Sequence, residues 1–329
     1  MEGREGIGTG GGGGIGHERS VGLPVAYGLS VRLVSMLDDR VRTGLVEGDE
    51  IVDLTDPAIG LPGDMVALLT LGPDAADPLR RAATTGARRL SMASTLLLAP
   101  VPRPPSFLAI AGNYDAHIRE LGHERPECQT WFSKQPTCVI GPGAAIEVPS
   151  VSTDVDYEGE VGMVIGRRCR HVPVEHALEV VAGYTVVNDV SVRDWQWRTP
   201  TMMMGKGFDT HGPTGPWLVT ADELGDPQDL SLRTWVNDEL RQDGATGDMI
   251  FSCAQMIEHL STAFTLEPGM IISTGTPAGV GAKDDPPRWL AAGDTVRIVV
   301  EGIGELSNPV VDEPGADRGR PDRDRPGSP

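Results

Sequence analysis

Asp156-Tyr157-Glu158-Gly159-Glu160 runs directly into the apolar stretch Val161 to Ile165. On a strand, Glu158 and Glu160 are two positions apart and project from one face. At about 7 Å separation and an effective dielectric near 20, two such carboxylates repel by about 2 kcal/mol. A cation between them relieves that repulsion. Asp189 follows Asn188 at the end of the apolar run Tyr184 to Val187, and strand ends and loops are where sheet proteins place working groups. Three convergent carboxylates make an all-oxygen site, which suits Mg²⁺, Mn²⁺ or Ca²⁺ better than Zn²⁺, an ion that prefers His and Cys. No HExxH or CxxC pattern competes, so Mg²⁺ is the first expectation.

His117 and Glu120 lie three apart in Asn113-Tyr-Asp-Ala-His-Ile-Arg-Glu-Leu, so on a helix their side chains are neighbours. A carboxylate beside an imidazole raises its basicity and fixes its tautomer, as a base that deprotonates water requires. Lys206 sits between two glycines after a triple Met, an unusual setting for a solvated lysine, and could neutralise a substrate carboxylate. Thr274-Gly-Thr-Pro277 follows an apolar strand and offers backbone N–H groups and hydroxyls. Taken alone, an ExE or HxxE pair is more often ordinary surface. The weight falls on the combination.

The elements that must position these groups are mostly strands. From Ser106 onward, short apolar runs recur between Gly and Pro turns: Val161 to Ile165, Tyr184 to Val187, Trp217 to Val219, Leu230 to Val236, Met270 to Ser273 and Thr295 to Val300. Helical patterns are confined to Tyr114 to Leu121, Val174 to Val181 and Ser252 to Ala263, too few to cover both faces of a parallel sheet. The expected class is α+β, mixed and strand-dominated. Upstream, Leu29 to Leu37 reads as a strand, a hairpin turns at Glu47-Gly48-Asp49-Glu50, and Asp77 to Leu90 predicts a helix. Four prolines between Pro100 and Pro105 force extended backbone, which suggests a linker. Residues 27–100 then form a small β-rich N-terminal domain and residues 101–312 a larger catalytic one. The glycine run Gly10 to Gly14 and the charged, Pro-rich end predict disordered tails over 1–26 and 313–329.

Charge narrows the partners. The chain has 329 residues and a formal charge of -19, which disfavours nucleic acid and anionic membrane surfaces. No apolar run approaches the roughly 18 residues of a membrane-spanning helix, and the N-terminus lacks the apolar core of a secretory signal. Cytoplasmic residence is the expectation, with Cys128, Cys138, Cys169 and Cys253 reduced.

Five blocks in this order, AGNYDAHIRE, DVDYEGEVGMVIG, GYTVVNDVSVRDWQ, GKGFDTHGPTGPW and STGTPAGVG, resemble the fumarylacetoacetate hydrolase family. Within it, the chain resembles the bacterial acylpyruvate hydrolase and 2-hydroxyhepta-2,4-diene-1,7-dioate isomerase types. The resemblance covers roughly Ser106 to Asp312, with Leu29 to Leu98 like the family's small N-terminal domain. It implies a mixed β-sandwich roll, a homodimer, and one divalent metal per subunit on Glu158, Glu160 and Asp189. It further implies His117 and Glu120 as the water-activating dyad on a lid that orders over substrate. Arg193, Gln196, Lys206 and Thr276 match positions lining the substrate site, and Lys134 is a further candidate. Two departures stand out: Gly207 where the family usually has Ser, and Asn237-Asp238-Glu239 where it has Asn-Gly-Glu.

The implied chemistry is hydrolysis of a carbon–carbon bond in a short acylpyruvate or β-diketo acid. Water deprotonated by His117 and Glu120 attacks the remote carbonyl, and Lys206 meets the developing enolate charge. A 2-oxo acid hydratase, isomerase or decarboxylase would use the same ligands, and a non-catalytic family member would be expected to lack one of them.

Overall fold

The computed structural model describes residues 28–315. The expected N-terminal tail, and residues 316–329 of the expected C-terminal one, lie outside the described residues. Two sheets dominate, and both are mixed. The larger has twelve strands, ordered along its main path Arg89–Ser91, Glu50–Asp53, Val41–Glu47, Arg32–Leu37, Gly212–Thr220, Val181–Asn188, Gly159–Ile165, Ile271–Ser273, Phe107–Ala111 and Thr130–Lys134. The second has five, ordered Glu239–Ala245, Ser231–Val236, Thr295–Val300, Gly304–Asp312 and Ile146–Val148. Most neighbours are antiparallel, while Ile271–Ser273 runs parallel to Phe107–Ala111 and Gly304–Asp312 parallel to Ile146–Val148. The strand-dominated α+β expectation holds.

The central strands are continuous apolar runs because both of their faces are covered. Every residue of Gly159–Ile165 and Val181–Asn188 is buried. Val161, Met163 and Val186 share a core with Leu232, Ile298 and Leu306 of the second sheet. Val164 and Val187, on the other face, pack with Leu33, Leu68 and Leu218. Arg32–Leu37 is hydrogen-bonded directly to Gly212–Thr220, so the first strands extend the larger sheet without a break. The longest helix, Cys253–Ala263, starts at a capping box formed by Ser252 and Gln255 and buries Met256, Ile257 and Leu260. No helix among the described residues is long and apolar enough to cross a membrane.

Two local expectations need correction, and one strand was not expected. The helix expected over Asp77 to Leu90 spans only Ala76–Ala82, and Arg89–Ser91 is an edge strand. Thr84, Thr85 and Gly86 are weak helix formers that interrupt it, and Arg89 reaches Glu47 at 2.8 Å and Glu50 at 3.2 Å once it joins the sheet. The segment after Pro173 is a 3₁₀ helix, Val174–Val180. Thr130–Lys134 is a strand that the residue pattern did not single out, and it carries Lys134 to the site.

Candidate active site

Two adjacent antiparallel strands bring the acids together. Gly159 pairs with Asn188 and Glu160 with Val187, so Glu158, just before one strand, meets Asp189, just after the other. The Asp189 N–H donates to the Glu158 carbonyl at 2.8 Å, and the Glu158 N–H donates to Asn188 Oδ1 at 3.1 Å. One oxygen from each of Glu158, Glu160 and Asp189 lies within 4.8 Å of the others, and all three residues are buried.

Burying three carboxylates demands compensation. Lys206 Nζ donates to Glu158 Oε2 at 2.7 Å and to Asp189 Oδ2 at 2.8 Å. Lys134 Nζ donates to Asp189 Oδ1 at 2.5 Å. Arg193 Nη1 lies 2.7 Å from Glu158 Oε1, while its Nε and Nη2 reach Asp156 Oδ2 at 2.9 and 2.8 Å. Against the burial that opposes its charge, Lys206 and Arg193 hold Glu158 well below its usual pKa. Lys206 remains firmly protonated, since Asp189 and Glu158 outweigh the cost of its own burial.

Glu160 is different. Ser273 Oγ and the Gly275 N–H donate to its Oε2 at 2.5 and 2.9 Å, and no basic side chain pairs with it among the described residues. Burial, then the charges of Asp189 and Glu158, push its pKa well up. Four buried acids, Asp156, Glu158, Glu160 and Asp189, face three fixed cations, Lys134, Lys206 and Arg193. One acid is left without a cation, and its ionised form is the one that a bound cation would favour. An oxygen-only donor set with one unpaired acid fits a hard divalent ion. Lys206 bridges two of the acids and leaves the third open.

The helix Asp115–Leu121 covers this cluster and ends at Gly122, whose φ of 74° supplies the left-handed turn that stops it. His117 Nδ1 and Glu120 Oε2 are 2.9 Å apart. The carboxylate acceptor assigns the proton to Nδ1 and leaves Nε2 as the basic atom. His117 is only 6% exposed, and it lies close enough to Glu158 for a proton on its ring to favour the ionised carboxylate. The Gly279 N–H holds the other Glu120 oxygen at 2.9 Å.

The remaining candidates gather at the same place, but several are already engaged. Lys134, expected at the substrate, spends its three donors on Asp189 Oδ1, the Val190 carbonyl at 3.3 Å and the Lys206 carbonyl at 2.5 Å. It therefore supports Asp189. Arg193 is likewise turned onto Asp156, Glu158 and Gln196 Oε1. Thr276 Oγ1 donates to the Gly159 carbonyl at 2.9 Å and accepts from Gln242 Nε2 at 2.7 Å. Gln196 lies beside Gly205, where an added Cβ would sit 2.2 Å from the Gln196 backbone nitrogen. The glycine before Lys206 thus permits a close approach. Gly207, the departure from the family pattern, lines an apolar pocket of about 460 Å³ with Gln135, Trp195, Met203 and Phe208.

Sequence reasoning did not single out Asp156, Gln242, Ser273 or Gly279 as individual residues. Asp156 stands in the same acidic block as Glu158, and Ser273 immediately precedes the Thr274 turn, so both were within sight. Gln242 comes from the second sheet, and no local pattern connects it to Thr276.

A family model for the C-terminal part of fumarylacetoacetate (FAA) hydrolase matches residues 106–311. The mitochondrial oxaloacetate tautomerase fahd2 of Xenopus laevis is 38% identical over 290 residues, covering 86% of this chain and 91% of its own. A putative hydrolase of Burkholderia ambifaria is 41% identical over 268 residues, covering 80% of this chain and 93% of its own. A solved maleylpyruvate hydrolase from Sphingobium sp. SYK-6, in complex with manganese(II) ion and pyruvate, matches with a TM-score of 0.74 at 34% identity, covering 85% of this chain and 99% of that one. The 2-hydroxyhepta-2,4-diene-1,7-dioate isomerase of Mycobacterium marinum matches with a TM-score of 0.70 at 33% identity, covering 87% of this chain and 100% of that one. The matched region contains the strands that assemble the acidic cluster and the helix that covers it, and the chain belongs to the fumarylacetoacetate hydrolase family.

Proposed function

We propose that the protein is a divalent-metal-dependent hydrolase that cleaves a carbon–carbon bond in a short acylpyruvate or β-diketo acid. The observation that carries this reading is the His117–Glu120 pair, whose buried imidazole lies near Glu158 of three convergent carboxylates. A base beside an oxygen-ligand site can activate water for hydrolysis, whereas enolisation would use the same base on a carbon-bound proton. The manganese and pyruvate of the Sphingobium relative support the same reading.

A divalent cation, Mg²⁺ or Mn²⁺, held by Glu158, Glu160 and Asp189 would supply Lewis acidity toward a 2-oxo carboxylate. His117 Nε2 takes the proton from water, and Glu120 stabilises the imidazolium that forms. The water oxygen bonds to the remote carbonyl carbon, the adjacent carbon–carbon bond breaks, and its electron pair leaves as the enolate of pyruvate. Lys206, fixed in its charged form, offsets that developing charge. The proton held on His117 passes to the enolate carbon, giving pyruvate and restoring the base, and the other fragment leaves as a carboxylic acid. The buried lid residues keep bulk water away from these steps. Lys134 and Arg193 act on the ligand carboxylates. We further propose that the active form is a homodimer, to be checked by sedimentation.

The second reading is tautomerisation of a 2-oxo acid, favoured by the Xenopus relative. One experiment separates the two. Mg²⁺- or Mn²⁺-loaded protein is incubated with acylpyruvates and oxaloacetate in H₂¹⁸O, and products are identified by mass. Hydrolysis places one ¹⁸O in the released acid, whereas oxaloacetate interconversion without cleavage of any acylpyruvate overturns the hydrolase reading.

A further inference from the structure

Gly279 sits between the lid and the carboxylate cradle and is hydrogen-bonded to both. Its N–H donates to Glu120 Oε1 at 2.9 Å, and its carbonyl accepts from Tyr157 Oη at 2.9 Å. Glu120 in turn holds His117 at 2.9 Å. Tyr157 immediately precedes Glu158, and its ring is 1% exposed within the main core, so the hydroxyl has little freedom. The Arg241 guanidinium lies beside the same hydroxyl and is itself steadied by Asp284 at 3.3 Å and Glu239 at 3.4 Å. Gly279 adopts a φ of 104°, and a Cβ at this position would lie 2.0 Å from the Arg241 carbonyl oxygen. Only glycine lets the loop pass while presenting both backbone groups.

We propose that Tyr157, acting through Gly279, is a positioning residue for the Glu120–His117 pair. It couples the segment that carries Glu158 to the helix that carries His117 and Glu120. The hydroxyl fixes the Gly279 backbone, the Gly279 N–H selects one Glu120 rotamer, and that rotamer orients His117. The catalytic half of this proposal rests on the reading of His117 as the base. The geometric half does not.

Tyr157→Phe removes the hydroxyl and keeps the ring. By hydrogen exchange on the metal-free protein, amides of residues 115–121 and of Gly279 should exchange about three- to tenfold faster in this variant, the effect of one lost hydrogen bond. Glu120→Ala should accelerate the Gly279 amide to a similar degree. The double variant should be no faster than Glu120→Ala alone, because both changes break one chain. With Mn²⁺ and an acylpyruvate, Tyr157→Phe should lower kcat about tenfold while Mn²⁺ affinity and KM change less than twofold. Wild-type exchange rates in the lid of Tyr157→Phe, or strictly additive effects in the double variant, overturn the proposal. Should Tyr157→Phe fold poorly, the Gly279 amide in Glu120→Ala still decides: unchanged protection there overturns it. A wild-type protein that hydrolyses no acylpyruvate, with exchange responding as described, sinks the hydrolase reading and leaves the positioning chain standing.

Discussion

Glu158 and Asp189 are joined through their backbones, the Asp189 N–H donating to the Glu158 carbonyl at 2.8 Å. Two side chains that would repel each other in isolation are therefore set side by side by a strand pair whose formation does not depend on them. The register of Gly159–Ile165 against Val181–Asn188 is driven by burial of Val161, Met163 and Val186. The sheet's stability holds the carboxylates in a pre-organised cluster.

Glu160 is the acid of the cluster that no basic side chain pairs with among the described residues. Because its folded pKa is raised above the unfolded value, its contribution to stability is complete at low pH and declines as pH rises from the ordinary Glu range toward the raised value. At pH 7 and without metal, Glu160→Gln should stabilise the fold by about 1–3 kcal/mol, with the Gln oxygen still accepting from Ser273 and Gly275. The same change should weaken Mn²⁺ binding at least tenfold. Denaturant melts and calorimetric titration check the two effects. A destabilised metal-free variant would show that Glu160 is already compensated.

Lys134 is the opposite case. Its ammonium is wholly buried and paired with Asp189, and Lys134→Met leaves that carboxylate with only Lys206. Removing one partner of a buried ion pair typically costs about 3–5 kcal/mol. A loss of that size in metal-free denaturation, partly recovered on adding Mn²⁺, is the expected outcome. A loss below about 1 kcal/mol would mean that the pair contributes little.

How much of this was legible in the sequence depends on how far each residue acts from its own neighbours. The carboxylate triad could be located because Glu158, Glu160 and Asp189 each abut an apolar run, and their convergence needed only that the two runs pair. The His117–Glu120 contact was legible because helical spacing alone creates it. The engagement of Lys134 was not, since Thr130–Lys134 lies at the edge of the larger sheet and its pairing with Phe107–Ala111 is set by tertiary packing. The over-long helix at Asp77 has a related cause. A favourable edge pairing for Arg89–Ser91 outweighed a helical pattern already weakened at Thr84 to Gly86.

His117→Ala should reduce acylpyruvate hydrolysis by about 10² to 10⁴, the usual cost of losing a general base. Metal affinity should stay within about twofold, because all three expected ligands are carboxylates on other elements. Steady-state kinetics alongside Mn²⁺ titration measure both. Oxaloacetate tautomerisation that survives in the variant while hydrolysis is lost would show that the two reactions use different proton-transfer groups. Full retention of hydrolysis would remove His117 from the mechanism.

His211 provides a pH signature separate from the carboxylate cluster. Its ring is buried, with Nε2 2.8 Å from the Glu147 carbonyl and Nδ1 without a hydrogen-bond partner. Burial lowers its pKa to about 4, against the opposing effect of the Glu147 hydrogen bond and with help from the nearby Lys134 charge. A histidine whose pKa falls on folding stabilises the fold fully above the unfolded value near 6.5 and loses that contribution as pH drops toward 4. Each pH unit in that window is worth about 1.4 kcal/mol. His211→Gln cannot titrate, yet it can still donate a hydrogen bond toward the Glu147 carbonyl. The stability difference between wild type and His211→Gln should thus be constant above about pH 7 and should shift against wild type by about 2–3 kcal/mol between pH 6.5 and 4.5. Urea denaturation of both proteins at matched pH gives this difference directly, with the carboxylates common to both cancelling. A difference that does not change across the window would mean that the ring gains its proton without leaving its buried site.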